Sequence, residues 1–280
     1  MFQRVAILGL GAVGGSIGLA LRQAKAAQQV TGYDSGKGIA GRAHKLGAID
    51  AACTQVAEAV REAELIVLAA PIGEMRALLQ QIASAAPKAA VVTDVASAKA
   101  QVISWAEEFL PSSQSFVGGH PINEKEAEGI DAAQVTLFQQ RIYCLVPTRR
   151  THPAALEKVS TLVETLGGTV RFLEPAEHDS MIAATQQLPF LVSTALIQTV
   201  GSSPSWHDAR LLAGDGLRAI TSLASGDPTS HRDSLLANSD QLVRCINDYM
   251  KHLGELRDRI ASRDGSIDNL FRQAQKMWDE

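Results

Sequence analysis

Three glycines, Gly9, Gly11 and Gly14, stand in the spacing GxGxxG directly after the apolar run Val5-Ala6-Ile7-Leu8. Each position asks for a missing side chain for its own reason. Gly9 permits a tight turn, Gly11 lets backbone approach a pyrophosphate, and Gly14 lets helix and strand pack closely. A helix-like segment follows at 16–23, and the N-terminus of such a helix offers free N–H groups and a partial positive charge to phosphates. Asp34 closes a second strand run at 29–33, about 20 residues beyond Gly14, where an acid accepts hydrogen bonds from an adenosine ribose. The spacing alone is weak evidence, since a glycine turn without a ligand has the same pattern. Strand, loop, helix, strand and acid in this order make it a dinucleotide-binding motif. Asp34 favours NAD by repelling the extra phosphate of NADP, while the nearby Lys37 offsets part of that repulsion and leaves NADP open.

Metal chemistry has no support in the residue spacing. Cys53, Cys144 and Cys245 are far apart and form no CxxC pair, and His44, His152, His207, His231 and His252 form no ligand pattern. No metal is expected.

The elements that must hold this loop alternate. Apolar runs at 65–70 (ended by Pro71, which joins the cofactor-binding set), 90–94 and 115–119 read as strands buried on both faces. Helical patterns lie between them at 74–83 and 99–109. Two later strands, 142–146 and 169–172, flank a helix at 154–166. This order predicts an α/β Rossmann-type doubly wound parallel sheet, whose ligands sit beyond the carboxyl ends of the strands. Strand signals stop after Pro175, and helices are expected at 178–201 (with Pro189 as a kink), 211–224 and 234–260. The expected division is a dinucleotide-binding domain over 1–174 and an all-α C-terminal substrate and dimerisation domain over 175–280.

Composition fits an ordinary soluble protein, with 46% hydrophobic and 20% charged residues over 280 positions. The net charge of −4 provides no basic field for a nucleic acid. The uncharged run 5–21 is too rich in glycine for a spanning helix, and no later segment is expected to reach membrane length. A cytoplasmic protein with reduced cysteines, no membrane and no nucleic-acid partner is expected.

Three further segments at strand and helix ends belong together: Thr93-Asp94-Val95-Ala96-Ser97-Ala98-Lys99, Gly118-Gly119-His120-Pro121, and Glu177-His178-Asp179. Combined with the glycine motif, they resemble the prephenate/arogenate dehydrogenase family of tyrosine biosynthesis. The likeness extends over most of the chain, through Gly129-Ile130-Asp131-Ala132-Ala133, Leu137-Phe138, Ala224-Ser225-Gly226-Asp227-Pro228 and Arg232-Asp233. That family oxidises a cyclohexadienol with NAD or NADP, losing carbon dioxide to give an aromatic ring. The resemblance implies that His120 accepts the proton of the ring hydroxyl, a task suited to a histidine near neutral pKa, and that Ser97 helps fix the same hydroxyl. Tight packing of the C-terminal helices is also expected to make the protein a homodimer, with the active site in the cleft between the domains. Structural alternatives exist for each residue. His120 suits a turn before Pro121, Ser97 suits the N-cap of the helix opening near Lys99, and His178-Asp179 reads as a capping and interdomain feature.

Departures from the family pattern fall where substrate should bind. Small residues commonly follow the family's His-Pro, whereas this chain continues Ile122-Asn123-Glu124, then Lys125, Glu126 and Glu128. Gln187 stands where many members carry a histidine, and Ser222 replaces a family arginine that anchors a carboxylate. Arg218, one helical turn before Ser222, has the fork to bind a carboxylate bidentately, or is a surface arginine. Arg218, Gln187, Ser222 and Glu124 are therefore the substrate-binding candidates. A carboxylate such as Glu124 favours an ammonium over a second anion, which leans the reading toward arogenate. A dehydrogenase for an amino-deoxy analogue and a non-enzymatic NAD-binding sensor remain as alternatives. Lys251 and Lys276 match no lysine pattern of the 3-hydroxyacid dehydrogenases.

Overall fold

The computed structural model describes residues 1–122, 129–226 and 228–279. Glu124, Glu126 and Glu128 lie outside the described residues. The N-terminal half alternates strand and helix: β1 (Phe2–Leu8), α1 (Ala12–Gln23), β2 (Ala27–Tyr33), α2 (Ile39–Lys45), β3 (Ala51–Ala52), α3 (Val56–Val60), β4 (Leu65–Leu68), α4 (Ile72–Ala85), β5 (Val91–Asp94), α5 (Lys99–Phe109) and β6 (Ser115–Pro121), with α2, β3 and α3 adding to the elements read from the sequence. Then come β7 (Ile142–Val146), α6 (Pro153–Thr165) and β8 (Thr169–Phe172). Among the described residues, one eight-stranded sheet runs β3-β2-β1-β4-β5-β6-β7-β8. Val5–Leu8 of β1 and all of β4 are apolar and fully buried because both faces of the sheet are covered there. Val5, Ile7, Leu65 and Val67 pack into one core layer, while Ala6, Leu8, Ile66 and Leu68 pack into the other.

The sheet is mostly parallel, as the doubly wound expectation requires, with one antiparallel pairing at its β6–β7 junction. β6 pairs with β5 in parallel only as far as Val117, then from Gly118 to Pro121 pairs antiparallel with β7. A parallel partner would require a crossover to the opposite end of the sheet. Here β7 begins beside the end of β6, with Pro121 opposite Tyr143. The consequence is functional. β6 continues past the last residue of β5, carrying His120 beyond the neighbouring strand end.

The helical half comprises α7 (Pro175–Ile182), a π-turn (Ala183–Gln187), α8 (Leu188–Gly201), α9 (Trp206–Ala209), α10 (Asp215–Thr221), α11 (Pro228–Ala237), α12 (Ser239–Ala261) and α13 (Ile267–Asp279). Three boundaries differ from expectation. The helix at 178–201 is interrupted by the π-turn, whose wider spacing accommodates Pro189 in the first turn of α8. The helix expected from 211 begins only at Asp215 and passes into a 3₁₀ turn at Ser222–Ser225. The stretch at 234–260 breaks at Asn238, which caps α12 and whose side chain bonds elsewhere.

The run Pro175–Gly201 also corrects the reading of membrane length. It spans 27 residues and contains an 18-residue stretch of mean hydropathy 1.3, enough by length and composition to cross a bilayer. It also carries buried His178, Asp179 and Gln187, all of them hydrogen-bonded within this fold.

Candidate active site

A cleft of about 670 Å³ opens at the carboxyl ends of β1, β4, β5 and β6. Gly9, Gly11, Asp34 and Pro71 line one end, and Ser97, His120, Asp233 and Ser234 line the other. At the first end the chain has no room for a side chain at Gly9. Its φ is +96°, and a Cβ there would meet the Ala69 carbonyl carbon at 2.4 Å. Gly14 packs so closely on the same loop that a Cβ would fall 1.9 Å from the Gly9 oxygen. Gly11 is different, because a Cβ there would point into open space. This is the N-cap of α1, and neither a side-chain cap nor an acidic residue occupies the first turn. An uncapped helix end with its glycine edge open to the cleft fits a dinucleotide diphosphate. Asp34 is held in place by two backbone donors: Leu10 N–H gives to one carboxylate oxygen at 2.7 Å, and Gly36 N–H gives to the other at 2.7 Å.

At the second end, α7 from the helical half docks on α5. The Asp179 carboxylate accepts the N–H groups of Lys99 (2.7 Å) and Ala100 (2.9 Å), capping α5 from 80 residues away in sequence. Ser97 therefore does not cap this helix. The N-cap position is Ala98, and the Ser97 hydroxyl instead meets the Ser234 hydroxyl of α11 at 2.6 Å.

The adjoining His178 bonds to His120. His178 Nδ1 lies 2.8 Å from Asp179 Oδ1, and His178 Nε2 lies 2.9 Å from His120 Nδ1. An ionised carboxylate only accepts, which fixes the rest of the chain for neutral rings. His178 carries its proton on Nδ1 and donates it to Asp179, so its Nε2 must accept from His120 Nδ1–H. His120 Nε2 is then left as an unprotonated acceptor. Burial, followed by the neighbouring His178 and Lys99, pushes the His120 pKa well below that of an ordinary histidine. Burial raises the Asp179 pKa, but the bonds from His178 and the two backbone N–H groups outweigh it, and the net shift is downward.

Beneath this pair lies a buried ion pair that the sequence reading did not identify. Lys99 and Asp94 are both fully buried and in direct contact, and the Lys99 ammonium also donates to the Gly119 oxygen at 2.6 Å. The other Asp94 oxygen accepts Gly119 N–H at 3.0 Å. Both polar groups of the residue before His120 are therefore fixed. The signal lay in the quoted segment, as an acid ending a strand and a lysine opening the next helix, but burial of both was not readable.

The substrate-binding candidates among the described residues, Arg218, Gln187 and Ser222, do not line this cleft, and Glu124 lies outside the described residues. Arg218 and Ser222 are exposed, and the Ser222 hydroxyl is bonded to the Ala219 oxygen. Gln187 is buried behind the cleft wall, where its amide donates to Ser234. Ser234 and Asn238 were also missed, although they stand four apart as polar residues in the seam of Leu235 and Leu242.

Comparisons with known proteins agree with this geometry. A family profile described as "Prephenate dehydrogenase, nucleotide-binding domain" matches residues 17–172, and one described as "Prephenate dehydrogenase, dimerization domain" matches residues 174–276. A prephenate dehydrogenase of Bacillus subtilis is 32% identical over 97% of this chain and 73% of its own length. Among solved structures, the prephenate dehydrogenase of A. aeolicus in complex with hydroxyphenyl propionate and NAD+ superposes with a TM-score of 0.91 at 27% identity, covering 100% of this chain and 99% of that one. A Synechocystis arogenate dehydrogenase gives 0.86 at 28% identity, covering 99% of each chain.

Proposed function

Because this chain belongs to the prephenate dehydrogenase family, we propose that it oxidises and decarboxylates arogenate to tyrosine, with His120 as proton acceptor. The chain is an NAD-dependent dehydrogenase of tyrosine biosynthesis. The observation that carries the catalytic reading is the acceptor left on His120 Nε2 at the cleft wall, set by the His178–Asp179 pair. Bound NAD supplies the hydride acceptor for such a reaction. The α1 N-terminus would hold its diphosphate, and Asp34 its adenosine ribose. His120 takes the proton of the ring hydroxyl, and Ser97 fixes that hydroxyl from β5's end. We divide the chain at 174/175, and we assign the exposed apolar residues Leu236, Leu253, Ile260 and Phe271 to contact with a second copy.

The preference for arogenate rests on charge. Among the described residues lining the cleft, Asp34 is committed to the cofactor end, Glu74 and Asp233 are the other acids (Asp233 paired with Arg232 at 2.7 Å), and none is lysine or arginine. Prephenate brings two carboxylates, whereas the side chain of arogenate carries an ammonium beside its carboxylate. A carboxylate facing that ammonium contributes about 1.5–3 kcal/mol, a tenfold to hundredfold preference. With NAD saturating, kcat/KM for arogenate is expected to exceed that for prephenate by about that factor. Equal or better efficiency with prephenate would overturn the preference and leave the dehydrogenase reading intact.

A further inference from the structure

We propose that Ser234 is a positioning residue that holds the Ser97 hydroxyl as a hydrogen-bond donor into the cleft, an inference that rests on the catalytic reading above. Asn238 is buried, and its two amide hydrogens go to the Asp179 carbonyl oxygen (2.8 Å) and the Gln187 Oε1 (2.8 Å). That fixes which way the Gln187 amide faces, because Oε1 is the atom accepting from Asn238. Gln187 Nε2 therefore points at Ser234, donating to its hydroxyl oxygen at 3.2 Å and its carbonyl oxygen at 3.3 Å.

Ser234 Oγ thus receives a donor on one side. Its own proton has one acceptor among its described side-chain partners, the Ser97 Oγ at 2.6 Å. Ser97 accepts in that contact, and its own proton is left for the cleft it lines. The donors run in one direction: Asn238 to Gln187, Gln187 to Ser234, Ser234 to Ser97, and Ser97 to the bound substrate. A series of aligned hydrogen bonds of this kind polarises its last member. The substrate atom opposite Ser97 must then be an acceptor, as the ring oxygen is while His120 removes its proton.

The same asparagine joins the two halves of the site. Asn238 bonds the backbone of Asp179, whose carboxylate holds His178 and, through it, His120. The proton-accepting and proton-donating groups are thereby oriented by one network that passes through α7, the π-turn and α11. No group that ionises near neutral pH lies between Ser97 and Asn238, so this arm acts on turnover without moving its pH dependence.

A double-mutant cycle on the full-length protein with arogenate and NAD tests this. Ser234→Ala is expected to lower kcat about three- to tenfold, the worth of one neutral hydrogen bond, with NAD affinity and thermal midpoint unchanged. In a Ser97→Ala background the same substitution is expected to cost nothing further, because the group it orients is gone. An equal loss in both backgrounds, or no loss from Ser234→Ala while Ser97→Ala is impaired, would overturn the role of Ser234 alone. Full activity in Ser97→Ala would instead remove the catalytic reading on which the inference stands.

Discussion

Replacing His120 with asparagine is expected to lower kcat by about 10²–10⁴, the usual worth of a positioned proton acceptor, while the dissociation constant for NAD stays the same. Asparagine keeps polar atoms near the positions of the ring but offers no base. The dinucleotide contacts are expected at Gly11, the α1 N-terminus and Asp34, at the other end of the cleft, so binding of the cofactor has no reason to change. Fluorescence titration with NAD and steady-state NADH formation separate the two effects. A variant with near-normal turnover would remove His120 from the mechanism.

Lys99→Met is expected to destabilise the fold by about 3–5 kcal/mol, the cost of leaving a buried partner charge uncompensated. Lys99 is fully buried, and methionine matches its length without its charge. The Asp94 carboxylate would then face the core with only the N–H groups of Ala96 and Gly119 as donors, each at 3.0 Å. Gly119 packs closely on β5, since a Cβ there would lie 2.5 Å from the Asp94 backbone oxygen. The urea midpoint reads the loss, and activity should fall with it because Gly119 precedes His120. A midpoint like that of the parent protein would show that the ion pair adds little to the stability of the strand ends.

What the sequence made legible is what local physics dictates. The glycine loop was readable because its demands fall on the backbone, as the positive φ of Gly9 bears out. Strands β1, β4 and β5 were readable from their apolar runs, Val5–Leu8, Leu65–Leu68 and Val91-Val92, which burial on both faces requires. Strand direction was not, since an apolar run such as Ile142–Val146 reads the same in either sense. Contacts distant in sequence were also hidden. Ser97 has the chemistry of an N-cap, but the cap of α5 arrives from Asp179. Gln187 was read as a partner for substrate because it stands before Leu188-Pro189, whereas its buried amide faces Ser234 instead. The i, i+4 relation of Arg218 and Ser222 holds across the end of α10, yet both residues are exposed.

The central claim is that His120 is held neutral, in one tautomer, with its free nitrogen toward the substrate. The pH dependence of kcat/KM measures this most directly, because it reports the ionisation of the free enzyme, the state described here. Only neutral His120 can accept the proton, so activity is lost as pH falls through its pKa. Burial, then His178 and Lys99, lower that pKa. The predicted result is an acid limb displaced below pH ~6.5, the ordinary histidine value, and absent from the residual activity of His120→Asn. An acid limb at or above that value which persists in His120→Asn would contradict it.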